Sequence, residues 1–494
     1  MSRRQPPSSA IPRGASHGDA DATGRCLRRN LGDPPEPPAF VAAMREPSHG
    51  FWSNLRRELV VGRHWSDRAV VLTYAVITGL VVVGFTLLSE AASEQFEHLR
   101  GREGLGPWIA LAWTPLLTVA LLWWAQRFAP GTMGSGIPHV VAALDERTSP
   151  QERKRLVSLR ISAEKVALVS GGLLAGLSIG REGPTVQVGA GVMQHARRWL
   201  SPQSGIDAHD LIVAGAAAGI AAAFNTPLGG VIFALEQLSR RRSFSHSGLM
   251  IISIVLAGLV AVSVFGNLSY FGELPAQQLS WSLAGPGLVV ALVAGLAGGL
   301  FSRLIVASVR GLPDRFCRWR TRFPLRFAAG CGFAVAVIGI VSDGATVGAG
   351  YAPTRAMLEG HGQVPAIYTL LKFCATWLSA WSGVPAGVFA PSLAIGAGIG
   401  NDVALLFGEG PQMAIPMIAL GMVGFLAATT QGPLTAFIIV MEMVAGHAMV
   451  LSLMATALLA SAVARWITPP MYTELAALLL PPEPGPTDAD RPAS

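Results

Sequence analysis

The chain has 494 residues, 51% of them hydrophobic and 14% charged, where an ordinary soluble domain carries about 25% charged residues. That imbalance excludes a typical soluble globular protein and reads as an integral membrane protein. The formal charge of +7 does not point to nucleic acid, because the basic residues fall in loops between apolar segments and not on one soluble face.

Residues 1–50 are rich in Pro, Ser, Gly and Arg and hold no apolar run, so 1–60 is expected to be a disordered cytoplasmic segment, with Met44 an alternative start. Arg3 and Arg4 look like a twin-arginine signal, but no hydrophobic segment follows within reach, so no cleavable signal is expected. Apolar stretches near 69–89, 107–126, 211–235, 249–265, 287–309, 326–342, 412–428 and 447–467 are long enough to span or nearly span a bilayer. Three others, 131–142, 166–192 and 383–407, are short or broken by Gly and Pro and predict interrupted helices, which membranes tolerate only where backbone is buried or lines a cavity. Basic clusters at 147–160, Arg240–Arg242 and 303–326 are placed in the cytoplasm, and 262–286, without Lys or Arg, on the opposite side. A membrane domain over 61–475 and a short cytoplasmic tail, 476–494, complete the expected organisation. Cys26, Cys317, Cys331 and Cys374 form no CxxC pair, so they read as structural fillers and not as a metal site or disulfide framework.

Comparing the chain with itself reveals an internal repeat. GREGPTVQVGAG at 180–191 aligns without gaps onto GVFAPSLAIGAG at 387–398, an offset of 387 − 180 = 207. NTPLGGVIFALE at 225–236 matches QGPLTAFIIVME at 431–442, with 433 − 227 = 206 between Pro227 and Pro433. Repeated halves with interrupted segments in corresponding places point to a transport site at the repeat interface. Sequence alone leaves open whether the halves are inverted.

A broken helix presents unpaired N–H groups and a partial positive charge at its start, enough to hold an anion weakly. Three segments have this character: Gly134 to Pro138 (GSGIP), Gly180 to Pro184 (GREGP) and Gly387 to Pro391 (GVFAP). Ser135 either donates a hydroxyl to the anion or only caps the following helix. Glu182 is a carboxylate in an apolar, Gly-rich segment, hence a functional candidate, with a salt bridge to Arg181 or Lys165 as the bland alternative. Among helix starts it would compete with an anion for the same amides, and protonation would release it, making it both gate and proton acceptor. Glu236 and Glu442 stand near the ends of their apolar runs in repeat-equivalent places and read as structural, capping neighbouring helices. Lys165 either adds positive potential to the path or snorkels to an interface. A second GREG at 101–104 lacks a repeat partner and reads as a loop. No cofactor, metal or enzymatic activity is expected, since none of the ten His lies in an H-E-x-x-H pattern.

Together GSGIP, GREGP with its GAG, GVFAP, and Tyr472 in PPMY resemble the chloride channel and chloride/proton antiporter (CLC) family over roughly residues 60–480. The resemblance implies an all-α polytopic membrane fold of two inverted repeats, about 61–265 and 280–470, with broken, re-entrant helices. It further implies a homodimer in the inner (plasma) membrane, both termini cytoplasmic, with one anion pathway per subunit. Ser135 and Tyr472 would coordinate the central anion through their hydroxyls, with the amides of Val388 and Phe389 and the neighbouring Gly136 and Ile137. Glu182 resembles the external gating glutamate, and the amides around Arg181 and Gly183 would serve the outer site. Ser135 resembles chloride-preferring members, where a Pro accompanies nitrate preference. In FALEQ, Glu236 matches the family, but Gln237 stands at the inner proton position, and an amide cannot titrate. The expected function is therefore chloride transport, channel-like or weakly proton-coupled, with obligate chloride/proton antiport as the alternative.

Overall fold

An apolar chain in a bilayer has no water to satisfy its backbone, so it closes its hydrogen bonds within helices. A computed structural model describes residues 62–239, 247–266, 271, 283–311, 314–360, 364–365, 367–408 and 410–480, and helices dominate them. The expected N-terminal segment, the cluster Arg240–Arg242, most of 262–286 and most of the tail lie outside the described residues.

The first half runs α1 (Gly62–Arg100), α2 (Gly106–Phe128), α3 (Ile137–Ala143), α4 (Pro150–Leu156), α5 (Leu159–Leu174), α6 (Glu182–His195), α7 (Ala208–Phe224), α8 (Pro227–Phe233) and α9 (Ser247–Phe265). The second runs α10 (Ala284–Arg310), α11 (Arg315–Arg322), α12 (Pro324–Val341), α13 (Tyr351–Leu358), α14 (Tyr368–Trp381), α15 (Phe389–Leu406), α16 (Pro411–Thr430), α17 (Pro433–Met443), α18 (Val450–Arg465) and α19 (Met471–Ala477). Among the described residues, seven helices are long and apolar enough to cross a membrane. With large apolar side chains such as Leu80, Trp108, Leu116 and Leu451 exposed on their outer faces, the chain is a multi-pass integral membrane protein.

Two expected boundaries are corrected. The run 211–235 is not one span but α7 and α8, broken where Asn225 turns into the left-handed region (φ 58) before Pro227. Proline has no N–H to continue the helix, so the break is local and covalent in origin. The second half breaks at the equivalent place, with Gln431 at φ 50 before Pro433. Conversely, α15 is a continuous helix of spanning length, and the interruption expected in 383–407 lies before Phe389.

The repeat is visible in how helices touch. A Cβ on Gly189 of α6 would stand 2.2 Å from the carbonyl oxygen of Gly215 on α7, and one on Gly215 would stand 2.4 Å from that of Gly189. In the other half, Gly396 of α15 and Gly421 of α16 meet in the same way, at 2.3 and 2.1 Å. Small residues let membrane helices approach backbone to backbone, and here the contact recurs at offsets of 396 − 189 = 207 and 421 − 215 = 206.

The halves also cap each other. The Glu236 carboxylate accepts the amides of Leu434 and Thr435, at 3.0 and 2.7 Å, at the start of α17. Reciprocally, Glu442 accepts those of Leu228 and Gly229, at 3.3 and 2.7 Å, at the start of α8. Both glutamates thus satisfy otherwise orphaned helix-start donors, the structural role their positions implied.

Candidate functional site

Three helix starts converge in the interior. Gly136, at φ 102, turns the chain into α3. A Cβ there would lie 2.8 Å from the Gly183 carbonyl oxygen, and a Cβ on Gly183 would lie 2.9 Å from the Ser135 oxygen and 3.7 Å from the Gly387 Cα. Only glycine admits such approach of three backbones. The starts of α6 and α15 are joined directly: the Gly180 amide donates to Gly387 O at 2.7 Å and the Gly387 amide to Gly180 O at 3.2 Å. Pro138, Pro184 and Pro391 fall in the first turns of α3, α6 and α15, where a missing N–H costs no intrahelical bond.

The predicted site residues meet here. Ser135 is buried, and its hydroxyl has no hydrogen-bond partner among the described residues. Ile137 opens α3, while Val388 immediately precedes α15 and Phe389 opens it; all three are buried. Tyr472, buried on α19, packs with that helix against α3 and stands within electrostatic reach of Glu182.

Glu182, the first residue of α6, is 0% exposed. One carboxylate oxygen accepts the hydroxyl of Tyr351, and the backbone amide of Ala390 also faces the carboxylate. The other oxygen has no hydrogen-bond partner among the described residues and sits where a Gly180 Cβ would come within 2.3 Å of it. A salt bridge to Lys165 is not formed. Arg181 comes only to 4.0 Å of Glu182 and directs its guanidinium to Glu90 at 2.9 Å. The Arg181 side chain is therefore anchored on α1, leaving its backbone to the site.

Lys165 does not snorkel. It is fully buried, and its Nζ donates to the carbonyls of Thr132 and Gly134, each at 2.6 Å, clamping the loop that carries Ser135. Lys372 does the same in the second half, donating to Thr346 O at 2.9 Å and Gly348 O at 2.8 Å. The lysines are repeat equivalents, 372 − 165 = 207. The segment clamped by Lys372, GAGYAP at 348–353, is the structural counterpart of GSGIP, although 348 − 134 = 214. That seven-residue shift hid it, and Tyr351 with it, from the ungapped self-comparison, while Lys372 keeps the 207 offset but matches Lys165 as a single residue.

Gln237 lies away from this cluster, against the other half: a Cβ on Gly432 would stand 1.9 Å from its amide nitrogen and 3.0 Å from a Glu236 oxygen. The GREG at 101–104 forms the exposed turn between α1 and α2, with Gly104 at φ 71.

A helical membrane protein built of two like halves, whose broken helices meet around one buried carboxylate, belongs to the class of repeat-built ion transporters and channels. More particularly, residues 116–465 match the family described as voltage gated chloride channel, and the chain belongs to that family. Among curated relatives, the H(+)/Cl(−) exchange transporter ClcA of Citrobacter koseri is 28% identical over 440 residues, covering 83% of this chain and 89% of that protein. That of Salmonella arizonae is 28% identical over 445 residues, covering 85% and 91%. Among solved structures, a slow cyanobacterial Cl−/H+ antiporter superposes with a TM-score of 0.69 at 24% identity, covering 84% of this chain and 98% of that one. A CLC-type fluoride/proton antiporter gives 0.69 at 21% identity, covering 86% and 99%. The fold is thus that of CLC transporters.

Proposed function

We propose that the protein exchanges chloride for protons across the membrane, with Glu182 as its gate. The observation that carries this reading is a carboxylate wholly shielded from water at the meeting of three helix starts. A negative oxygen there occupies the place an anion would take, and a proton neutralises it and frees that place. The Ser135 and Tyr472 hydroxyls with the amides of Gly136, Ile137, Val388 and Phe389 form the central anion site. The amides of Arg181 and Gly183 form the outer one. Weak, distributed donors suit a site that must also release its ion, and Ser135 favours chloride.

Exchange takes precedence over a channel-like mode because the curated relatives are H(+)/Cl(−) exchange transporters. The channel-like or weakly coupled reading retains one supporting observation, Gln237. Its amide cannot titrate, and the adjacent Glu236 is committed to the amides of Leu434 and Thr435, so an exchanger must bring protons to Glu182 by water or another group. The membrane domain over 61–475, a homodimer and an inner-membrane setting with cytoplasmic termini belong to the same proposal, supported by the family and the basic clusters.

Purified protein in liposomes under a chloride gradient tests this, with external pH and chloride recorded together. Chloride efflux driving proton uptake, with proton movement lost in Glu182→Gln, is the expected result. Chloride flux without proton movement returns the channel-like reading, and no chloride flux from folded protein overturns both.

A further inference from the structure

Behind the gate lies a contact that the repeat does not duplicate. We propose that Tyr351 is a positioning residue for Glu182: its hydroxyl, delivered from the second half, holds the carboxylate in the seated, closed position. The proposal rests on the reading of Glu182 as the gate.

Tyr351 opens α13 and donates its hydroxyl to one Glu182 oxygen. Its ring is fixed from two sides, with the Arg181 guanidinium 5.6 Å above its centre and the Phe271 ring centre 6.0 Å away. The backbone that carries it is also fixed. Lys372 clamps the carbonyls of Thr346 and Gly348, and Gly350 makes the turn at φ 87, where a Cβ would come within 2.5 Å of the Ala394 Cβ. The hydroxyl is therefore presented by a braced segment.

Among the described residues, few ionisable groups surround the carboxylate. Arg181 precedes it, with Glu90 of α1 behind that guanidinium; Tyr351 comes from α13 and Tyr472 from α19. The facing start of α15 offers the Ala390 amide, and Phe389 to Leu393 contain no ionisable side chain. Lys165 and Lys372 are both turned to carbonyls.

A hydrogen bond donated to the ionised carboxylate favours that form and must break before the gate swings out. Removing the donor lets protons open the gate at higher pH, so the midpoint of acid-activated chloride flux rises. The shift expected for one bond to a charged group is about one pH unit, a tenfold change in the protonation equilibrium.

The test is chloride efflux from liposomes across the acid to neutral range for wild type, Tyr351→Phe, Glu182→Gln and the double variant. Phenylalanine keeps the ring under Arg181. Tyr351→Phe is expected to raise the midpoint by about one unit, and to alter flux less than about twofold in the Glu182→Gln background. An unchanged midpoint in Tyr351→Phe, with pH dependence abolished in Glu182→Gln, overturns the role of Tyr351 and leaves the gate standing. Persistent pH dependence in Glu182→Gln overturns the gate itself. If Tyr351→Phe does not fold, fluorotyrosine at position 351 keeps the side chain and makes a stronger donor. Its midpoint must fall, and an unchanged one overturns the proposal.

Discussion

The two halves share a scaffold and divide the chemistry. Each packs two helices through a glycine pair, Gly189 with Gly215 and Gly396 with Gly421. Each buries a lysine that clamps a pre-helix loop, and each caps the other with a glutamate. At the centre the likeness ends. The repeat partner of Glu182 is Phe389, and the loop that carries Ser135 in the first half carries Tyr351 in the second. Backbone geometry, set by Gly, Pro and buried caps, tolerates little variation, so both copies retain it. The side chains proposed to meet the ion line one asymmetric path, so they were free to diverge. The first half supplies the carboxylate, and the second supplies the hydroxyl that holds it.

If the scaffold is symmetric, equivalent substitutions must fail equally. Gly189→Ala and Gly396→Ala each place a methyl 2.2 to 2.3 Å from a backbone oxygen. No side-chain rotation relieves a clash with backbone, so each costs about 3 kcal/mol or more. Loss of the monodisperse peak in detergent size-exclusion is expected for both. One variant behaving like wild type would break the symmetry at its most basic contact.

The lysines probe where scaffold passes into site. Lys165→Met and Lys372→Met each leave two buried carbonyls without their donor, for about 2 kcal/mol of destabilisation, measured by thermal unfolding in detergent. Their effects on transport should differ. Lys165 braces the segment of Ser135, so its loss lowers apparent chloride affinity. Lys372 braces the segment of Tyr351, so its loss moves the pH midpoint of flux. Identical transport phenotypes would mean that the clamps act only through general stability.

Much of this was legible in the sequence, and what escaped did so for physical reasons. The repeat, the three helix starts and Glu182 were readable because Gly and Pro impose local backbone constraints that leave a direct mark. Tyr351 escaped because aromatic residues in apolar helices are ordinarily core, and because a seven-residue shift separates its loop from GSGIP. Lys372 went unremarked because the match with Lys165 is a single residue. The break at Asn225 was absorbed into one apparent span, since hydropathy averages over the turn that Pro227 enforces.

The smallest expected effect is the sharpest test of reciprocity. Glu236 and Glu442 each accept two amides at the start of a helix in the opposite half. Glu236→Ala and Glu442→Ala each remove one such cap, worth about 1 kcal/mol. The caps touch different helices and share no partner, so the double variant should lose the sum of the two single losses, about 2 kcal/mol. A double loss well beyond the sum would mean that α8 and α17, which pack against each other, unfold as one unit held by both caps. A loss for Glu236 alone would mean instead that only the cap on α17 carries weight, and that the likeness of the halves already ends at the inner edge of the repeat.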